Sequence, residues 1–318
     1  MIVSEIVPDA RDGGTLYMIG SGVVFKGSNR GDSWSLAHSG MEQFLVRTLE
    51  VDPGQAGVLY AGTSAGGVFK TVNGGNSWEP AGATSGGKPF IFPEGIVGGA
   101  DFTGGGIAPG EIVSIFGVNM GPLLGDTTDF DEATGRLPTT FLGTTVFFGD
   151  IPAPLFFVRA DQINAQVPFE VSGGESVDVR VVAEGGEGNP VSALLVASHP
   201  GIFNAVLNQD FTLNGAGVPE EPGRFVSLFV TGQGLVQPEI ATGAAAPGML
   251  PLPAPLLEVS VSIGGTESPR VASVLAPNFV GLLQVNVQIP LDAESGAQDA
   301  LVTIGDQTSA MPVSVFVE

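Results

Sequence analysis

Gln162-Ile163-Asn164-Ala165-Gln166-Val167-Pro168 returns 122 residues later as Gln284-Val285-Asn286-Val287-Gln288-Ile289-Pro290, a Gln-x-Asn-x-Gln-x-Pro pattern with an apolar residue at every x. The offset holds downstream, where Pro190-Val191-Ser192 meets Pro312-Val313-Ser314. Upstream, Gly110-Glu111-Ile112-Val113-Ser114-Ile115-Phe116 pairs with Gly223-Arg224-Phe225-Val226-Ser227-Leu228-Phe229 at an offset of 113, so the second copy carries extra loop residues between the landmarks. The last two thirds of the chain are one module written twice. In an extended strand the amides of the motif fall on one face, and Ile163, Ala165 and Val167 on the other. Pro168 and Pro290 cannot donate to a sheet ladder and mark a strand end or edge.

Composition makes the rest of the chain β as well. Val, Ile, Phe and Thr come in short runs broken by Gly, Pro, Asn and Asp, and 48 Gly with 24 Pro leave no long helix-favouring stretch. Val177-Asp178-Val179-Arg180-Val181, Val259-Ser260-Val261-Ser262-Ile263 and Val313-Ser314-Val315-Phe316-Val317 alternate with period two, as half-buried sandwich strands do. A hydrophobic content of 43% suffices for cores in modules of this size. The absence of cysteine removes disulfides, thiolate metal sites and cysteine nucleophiles together. A formal charge of −22 excludes nucleic acid as a partner and opposes adsorption to anionic membranes. Its plain reading is solubility for a chain with many strand edges. No apolar run is long enough for membrane insertion. Met1-Ile2-Val3-Ser4-Glu5 lacks the regions of a signal peptide, so export would rely on a signal not present in this chain.

The first eighty residues are a second duplication. Val3 to Asp9 aligns with Val46 to Asp52 and Leu16-Tyr17 with Leu59-Tyr60; one residue further out of step, Asn29-Arg30-Gly31-Asp32-Ser33-Trp34 aligns with Asn73-Gly74-Gly75-Asn76-Ser77-Trp78. A period of this length with several short strands is that of a propeller blade. The closing hexapeptide resembles the Asp-box of sialidase-like and sortilin-like propellers. That resemblance implies a polar side chain folded onto a tight hairpin (Asn29, Asn73), glycine at positive φ (Gly31, Gly75) and a tryptophan packed between blades (Trp34, Trp78). Both copies carry Asn where the family has Asp, and the motif is structural in any case. Tyr17 and Tyr60 sit in strand patterns, and no sialidase site is visible. Two blades do not close a propeller, which leaves three readings open: a piece of a longer propeller, blades packed on neighbouring modules, or blades pooled by several chains.

The repeated module has its own resemblance. Gly106 to Gly121 is similar to the opening strand and turn of the TIG-like β-sandwich. With Leu137-Pro138-Thr139-Thr140, Pro152 to Phe157 and Asp161 to Pro168, it resembles the Solibacter-type carboxy-terminal domain, a module at the ends of many large secreted bacterial proteins. That family implies an architecture and an extracellular or cell-surface address; it carries no assigned activity. The expected fold class is all-β. Residues 1–82 form two Asp-box propeller-type blades, 83–91 a linker, 92–200 a first Ig/TIG-like β-sandwich and 201–318 a second.

The amides Gln162, Asn164, Gln166, Gln284, Asn286 and Gln288 have two readings: satisfying neighbouring backbone groups, which is preferred, or a ladder for sugar hydroxyls. Phe147-Phe148 and Phe156-Phe157 each send one ring into the core and one outward, where a sister module or another molecule must cover it. Asp126, Asp129 and Asp131, with Glu132, offer oxygen ligands of the kind calcium takes, but without the spacing of a calcium loop; a solvated acidic loop is the preferred reading, and no metal is assigned. His38 and His199 have no metal-ligand spacing, and no nucleophile-elbow pattern supports a triad. The expectation is a non-enzymatic, cofactor-free structural or adhesive protein of the cell surface that associates with itself, as a homo-oligomer or as the subunit of a filament or sheath. The alternative is a carbohydrate- or protein-binding appendage of a larger secreted protein.

Overall fold

The computed structural model describes residues 3–9, 11–41, 45–63, 68–81, 87–171, 174–269 and 271–318. Among these every regular element is a strand, apart from a single 3-10 turn at Asn29–Gly31. Residue packing divides the chain into two units: Met1–Gly87 with Gly121–Gly125 and Arg159–Asp161, and the remainder.

The first unit holds two four-stranded antiparallel sheets, each in simple sequence order. One runs Val3–Pro8, Leu16–Gly20, Val23–Ser28, Ser33–Leu36; the other runs Val46–Val51, Leu59–Thr63, Val68–Thr71, Glu79–Pro80. Alternation gives each sheet two apolar faces, and the two sheets share one core of Tyr17, Ile19, Val24 and Ala37 from the first and Leu49, Val51, Leu59, Ala61, Phe69 and Trp78 from the second. Two sheets packed on each other are not a closed ring, and no propeller is formed among the described residues.

The second unit holds two β-sandwiches, each a pair of sheets facing across one core. In the first, the sheet containing Phe90–Gly98, Ile112–Val118, Gln162–Gln166 and Leu155–Val158 faces the sheet containing Thr144–Phe148 and Ser176–Ala183, over Ile115, Ile163, Val146, Phe148 and Val181. In the second, Gly201–Leu207, Phe225–Thr231, Leu283–Gln288 and Val271–Leu275 face Val259–Ile263, Gly296–Ile304 and Val313–Val317, over Leu228, Val285, Val302 and Val315. The repeat is exact in register where the sequence motif lies: Ser114 stands opposite Asn164 as Ser227 stands opposite Asn286. Of the expected linker, residues 83–86 lie outside the described residues. Phe90 and Ile91 are not linker: they open a strand paired with Gly117 and Val118, and Ile91 is fully buried with its amide held by Asn189 Oδ1 at 2.8 Å.

Candidate functional site

The amide rows turn inward on themselves, identically in both copies. Gln162 Nε2 donates to Asn164 Oδ1 at 2.9 Å and Ser114 Oγ to the same oxygen at 3.1 Å. In the second copy Gln284 Nε2 donates to Asn286 Oδ1 at 3.0 Å and Ser227 Oγ at 2.7 Å. The third amide closes the neighbouring turn: Gln166 Nε2 reaches the Gly110 carbonyl at 3.4 Å, and Gln288 Nε2 the Gly223 carbonyl at 2.8 Å. A cross-strand Ser–Asn pair fixes register, and the glutamine satisfies the carbonyl of the glycine that opens the partner strand. Pro168 and Pro290 stand two residues beyond the ends of the strands Gln162–Gln166 and Leu283–Gln288.

Gln166 does one thing more. Its Oε1 accepts the Gly243 amide of the second sandwich at 2.7 Å. Around it the modules are joined by the Ile112 amide on Thr231 Oγ1 at 2.8 Å, the Phe169 amide on Thr242 Oγ1 at 3.0 Å, and Thr242 Oγ1 on Glu170 Oε2 at 2.6 Å. At the centre lies a pair of ionisable side chains. Glu111 is 0% exposed; its Oε2 accepts the Ala108 amide at 2.7 Å and its Oε1 meets His199 Nδ1 at 2.9 Å. Burial raises the Glu111 carboxyl above its ordinary range despite the histidine beside it. The His199 imidazole is raised chiefly by its hydrogen bond to Glu111, against the effect of its own burial, and further by Asp101 and the Gly104 carbonyl. Asp101 Oδ1 takes the Thr103 amide and hydroxyl, while its Oδ2 is buried without a hydrogen-bond partner among the described residues. The backbone is equally tight here. His199 donates to the Gly232 carbonyl at 2.8 Å, and a Cβ on Gly232 (φ +78°) would stand 1.8 Å from the His199 carbonyl oxygen, so only glycine fits.

The next residue, Gln233, is fully buried with neither end of its amide hydrogen-bonded among the described residues. Leaving such a group unmet costs about 1–3 kcal/mol. Gln233→Met, similar in volume and apolar, is therefore expected to raise stability by about 1–2 kcal/mol, read as a higher urea midpoint at unchanged slope.

In the first unit the turn at Thr71–Trp78 of the second sheet is closed by its own side chains. Asn73 Oδ1 accepts the Ser77 amide at 3.0 Å and the Thr71 hydroxyl at 2.8 Å, Asn73 Nδ2 donates to Ser77 Oγ at 2.8 Å, and Gly75 holds φ +83°. Trp78 is 1% exposed, with its Nε1 donating to the Ala37 carbonyl of the other sheet at 2.8 Å. The first turn has the same backbone handedness at Arg30 (φ +64°, against +71° at Gly74) and Gly31 (+95°) but differs at Asn29, whose φ of +51° is not shared by Asn73; Trp34 is only half-buried, lying against Gly27 and Gly31. Tyr17 and Tyr60 are equivalent, each under a lysine: Lys26 at 5.8 Å and Lys70 at 5.3 Å from the ring centre. Burial pushes the Tyr17 phenol up to about 12.

The remaining expected positions are not brought together. Phe148 is buried and Phe147 half-exposed, and the cover on Phe147 is the Arg180 guanidinium of its own sheet, 4.2 Å from the ring centre. Phe156 and Phe157 do not alternate: a register shift between Leu155 and Phe157 leaves both half-buried, and Leu155 and Val158 point into the core instead. Asp131 Oδ1 caps its own turn through the Ala133 and Thr134 amides and the Thr134 hydroxyl, which hold its carboxyl below the ordinary value. Asp126 Oδ1 takes the Thr127 amide. Among the described residues no three His, Asp or Glu side chains group as metal ligands. His38 is buried with Nδ1 accepting the Val24 amide at 3.3 Å. A groove of about 710 Å³ beside the joint is lined by Arg136, Thr140, Glu170 and Thr242 among others, without an aromatic ring.

No family model matches the chain, and no curated protein matches it. Among solved structures it is similar to a surface glycan-binding protein, SGBP-B, from a xyloglucan utilization locus of Bacteroides uniformis (14% identity, TM-score 0.23, 72% of this chain and 49% of that one). It is similar also to SGBP-B from the mixed-linkage glucan locus of Bacteroides ovatus (10%, TM-score 0.30, 82% and 52%) and to the I9–I11 tandem of titin (10%, TM-score 0.20, 84% and 75%). The chain spans about half the length of the two glycan-binding proteins. Likeness at these scores identifies no family.

Proposed function

We propose that this chain is a non-enzymatic structural or adhesive protein of the cell surface or extracellular space, which works by associating with further copies of itself. Its N-terminal sheets are read as Asp-box blades and its sandwiches as TIG-like modules of the Solibacter type. One observation carries the proposal. The polar row that would recognise a ligand is spent, in both copies, on holding strands in place, and in the first copy on joining the modules as well. Asn164 Oδ1 and Asn286 Oδ1 each already accept two hydrogen bonds, which leaves them poor acceptors for a sugar hydroxyl. What remains for function is the set of outer faces, and a filament or sheath is the sharpest form of such an assembly.

Negative-stain electron microscopy and sedimentation of the full chain test this directly; assemblies larger than one chain are expected, and dispersed monomers at high concentration would refute it. A glycan array supplies the opposing test. Sugar binding lost on Asn164→Ala with Asn286→Ala, in a protein that still folds, would favour the appendage reading instead.

A further inference from the structure

The first unit contains one finished inter-sheet joint, and it presents both halves of the same joint again on its outer faces. The finished joint seats the Leu49, Ala61, Phe69, Val51, Leu59 and Trp78 face of the second sheet on the Tyr17, Ile19, Val24 and Ala37 face of the first. Four side-chain bonds tie it: Trp78 Nε1 to the Ala37 carbonyl at 2.8 Å, the Gly57 amide to Asp9 Oδ2 at 3.1 Å, the Leu49 amide to Glu5 Oε2 at 2.9 Å, and Arg11 Nε to the Pro53 carbonyl at 3.3 Å.

The duplication copies each half. Equivalent to the seated face, the first sheet carries Ile6, Met18, Phe25, Pro8, Leu16 and Trp34; its cross-strand rows Ile6–Met18–Phe25–Leu36 and Pro8–Leu16–Gly27–Trp34 lie on the side away from Tyr17 and Ile19. Ile6 is 54% and Leu36 69% exposed, Phe25, Leu16 and Trp34 are half-buried, and Met18 between them is buried. Equivalent to the receiving face, the second sheet carries Tyr60, Gly62, Val68 and Ala81, with Val68 50% exposed. Two of the polar partners, Ala37 and Asp9, are copied as Ala81 and Asp52, whereas Glu5 and Arg11 are replaced by Thr48 and Gly54. Ala81 donates to the Val68 carbonyl as Ala37 does to that of Val24, which gives its own carbonyl the same placement. Asp52 Oδ1 takes the Gly54 amide as Asp9 Oδ1 takes that of Arg11, so its other oxygen stands where Asp9 meets Gly57.

We propose that the Trp34 face of one chain docks on the Ala81 face of a second copy, reproducing the Trp78–Ala37 joint between molecules with Trp34 donating to the Ala81 carbonyl. The occupant is a second copy because this same chain carries the complement to each face. The contact is heterologous, so repetition either closes a ring of blades or runs on as a fibre. This deepens the self-association reading and names the surface it would use.

Sedimentation velocity on full-length variants tests it, with Leu36→Arg blocking one face and Val68→Arg the other; both side chains are exposed, so the fold is spared. Trp34→Ala is the third variant. Each alone is expected to lose the larger species formed by the unsubstituted chain. Mixing Leu36→Arg with Val68→Arg chains is expected to restore a dimer and nothing larger, because each retains the face the other lacks. If the unsubstituted chain is monomeric, both this joint and the self-association reading fall. If it assembles and the three variants assemble equally well, this joint alone falls and some other surface carries association. A mixture that stays monomeric likewise overturns the head-to-tail pairing.

Discussion

Glu111→Ala is expected to destabilise the tandem sandwiches by about 3–5 kcal/mol, because it strips a buried, hydrogen-bonded ionisable pair of one member. The Ala108 amide and the His199 imidazole would lose their common acceptor at a point where Glu111 is 0% exposed and water does not replace it. Glu111→Gln should cost less, since the amide oxygen still accepts one of the two bonds. Urea unfolding monitored on the second unit reads the difference; a change under about 1 kcal/mol for the alanine variant would mean the joint does not depend on the pair.

The same pair sets a pH dependence whose sign follows from its proton affinities. His199 is raised above its ordinary value of 6.5, mainly by the Glu111 hydrogen bond, so the stability it contributes is complete below about pH 6.5 and is lost as pH climbs through the raised folded value. Glu111 is raised above 4.5 by burial, so the folded chain again holds its proton more tightly than the unfolded one, and stability again falls as pH rises. Asp101 pushes both in the same direction through its charge. Thermal melts taken upward from about pH 6 should therefore show a falling midpoint, and His199→Gln should flatten that fall while lowering the midpoint at the acid end.

The second large effect belongs to Trp78. Truncation to alanine is expected to cost about 3–5 kcal/mol, the usual range for a buried tryptophan, and to act on the first unit. Trp78 fills the inter-sheet core at 1% exposure and satisfies the Ala37 carbonyl, so the variant loses apolar contact and a buried hydrogen bond together. Trp34→Ala, at the equivalent place on a half-open face, should cost a monomer no more than about a third of that. Equal losses in a monomeric sample would contradict the asymmetry of burial between the two turns.

Where the sequence repeats, structure was legible. The Gln-x-Asn-x-Gln strands and their Gly-x-x-Val-Ser-x-Phe partners announce a pair of equivalent sheets, and the matched Asn-x-x-x-Ser-Trp turns announce a pair of four-stranded sheets. What broke the symmetry was not legible. Glu111 is replaced by Arg224 in the second copy, and its partner His199 is 88 residues away, so nothing local links them. Only a glutamate just ahead of the mainly apolar strand Ile112–Val118 hinted at a special environment. The doubled Phe156-Phe157 failed as a period-two signal because the strand inserts a bulge there, which no pattern of apolar residues discloses. The two tryptophans read alike in sequence and differ in burial because a neighbouring sheet lies on one side only.

The joint at Gln166 has a consequence for how such a chain can lengthen. One end of this amide finishes its own module, at Gly110, and the other end receives the next, at Gly243. Gln288 already performs the first task at Gly223, and it carries the same side chain for the second. A module copied in tandem thus inherits its coupling along with its core. Growth of the array by duplication would require no new invention at the hinge, only a glycine amide arriving in the right place.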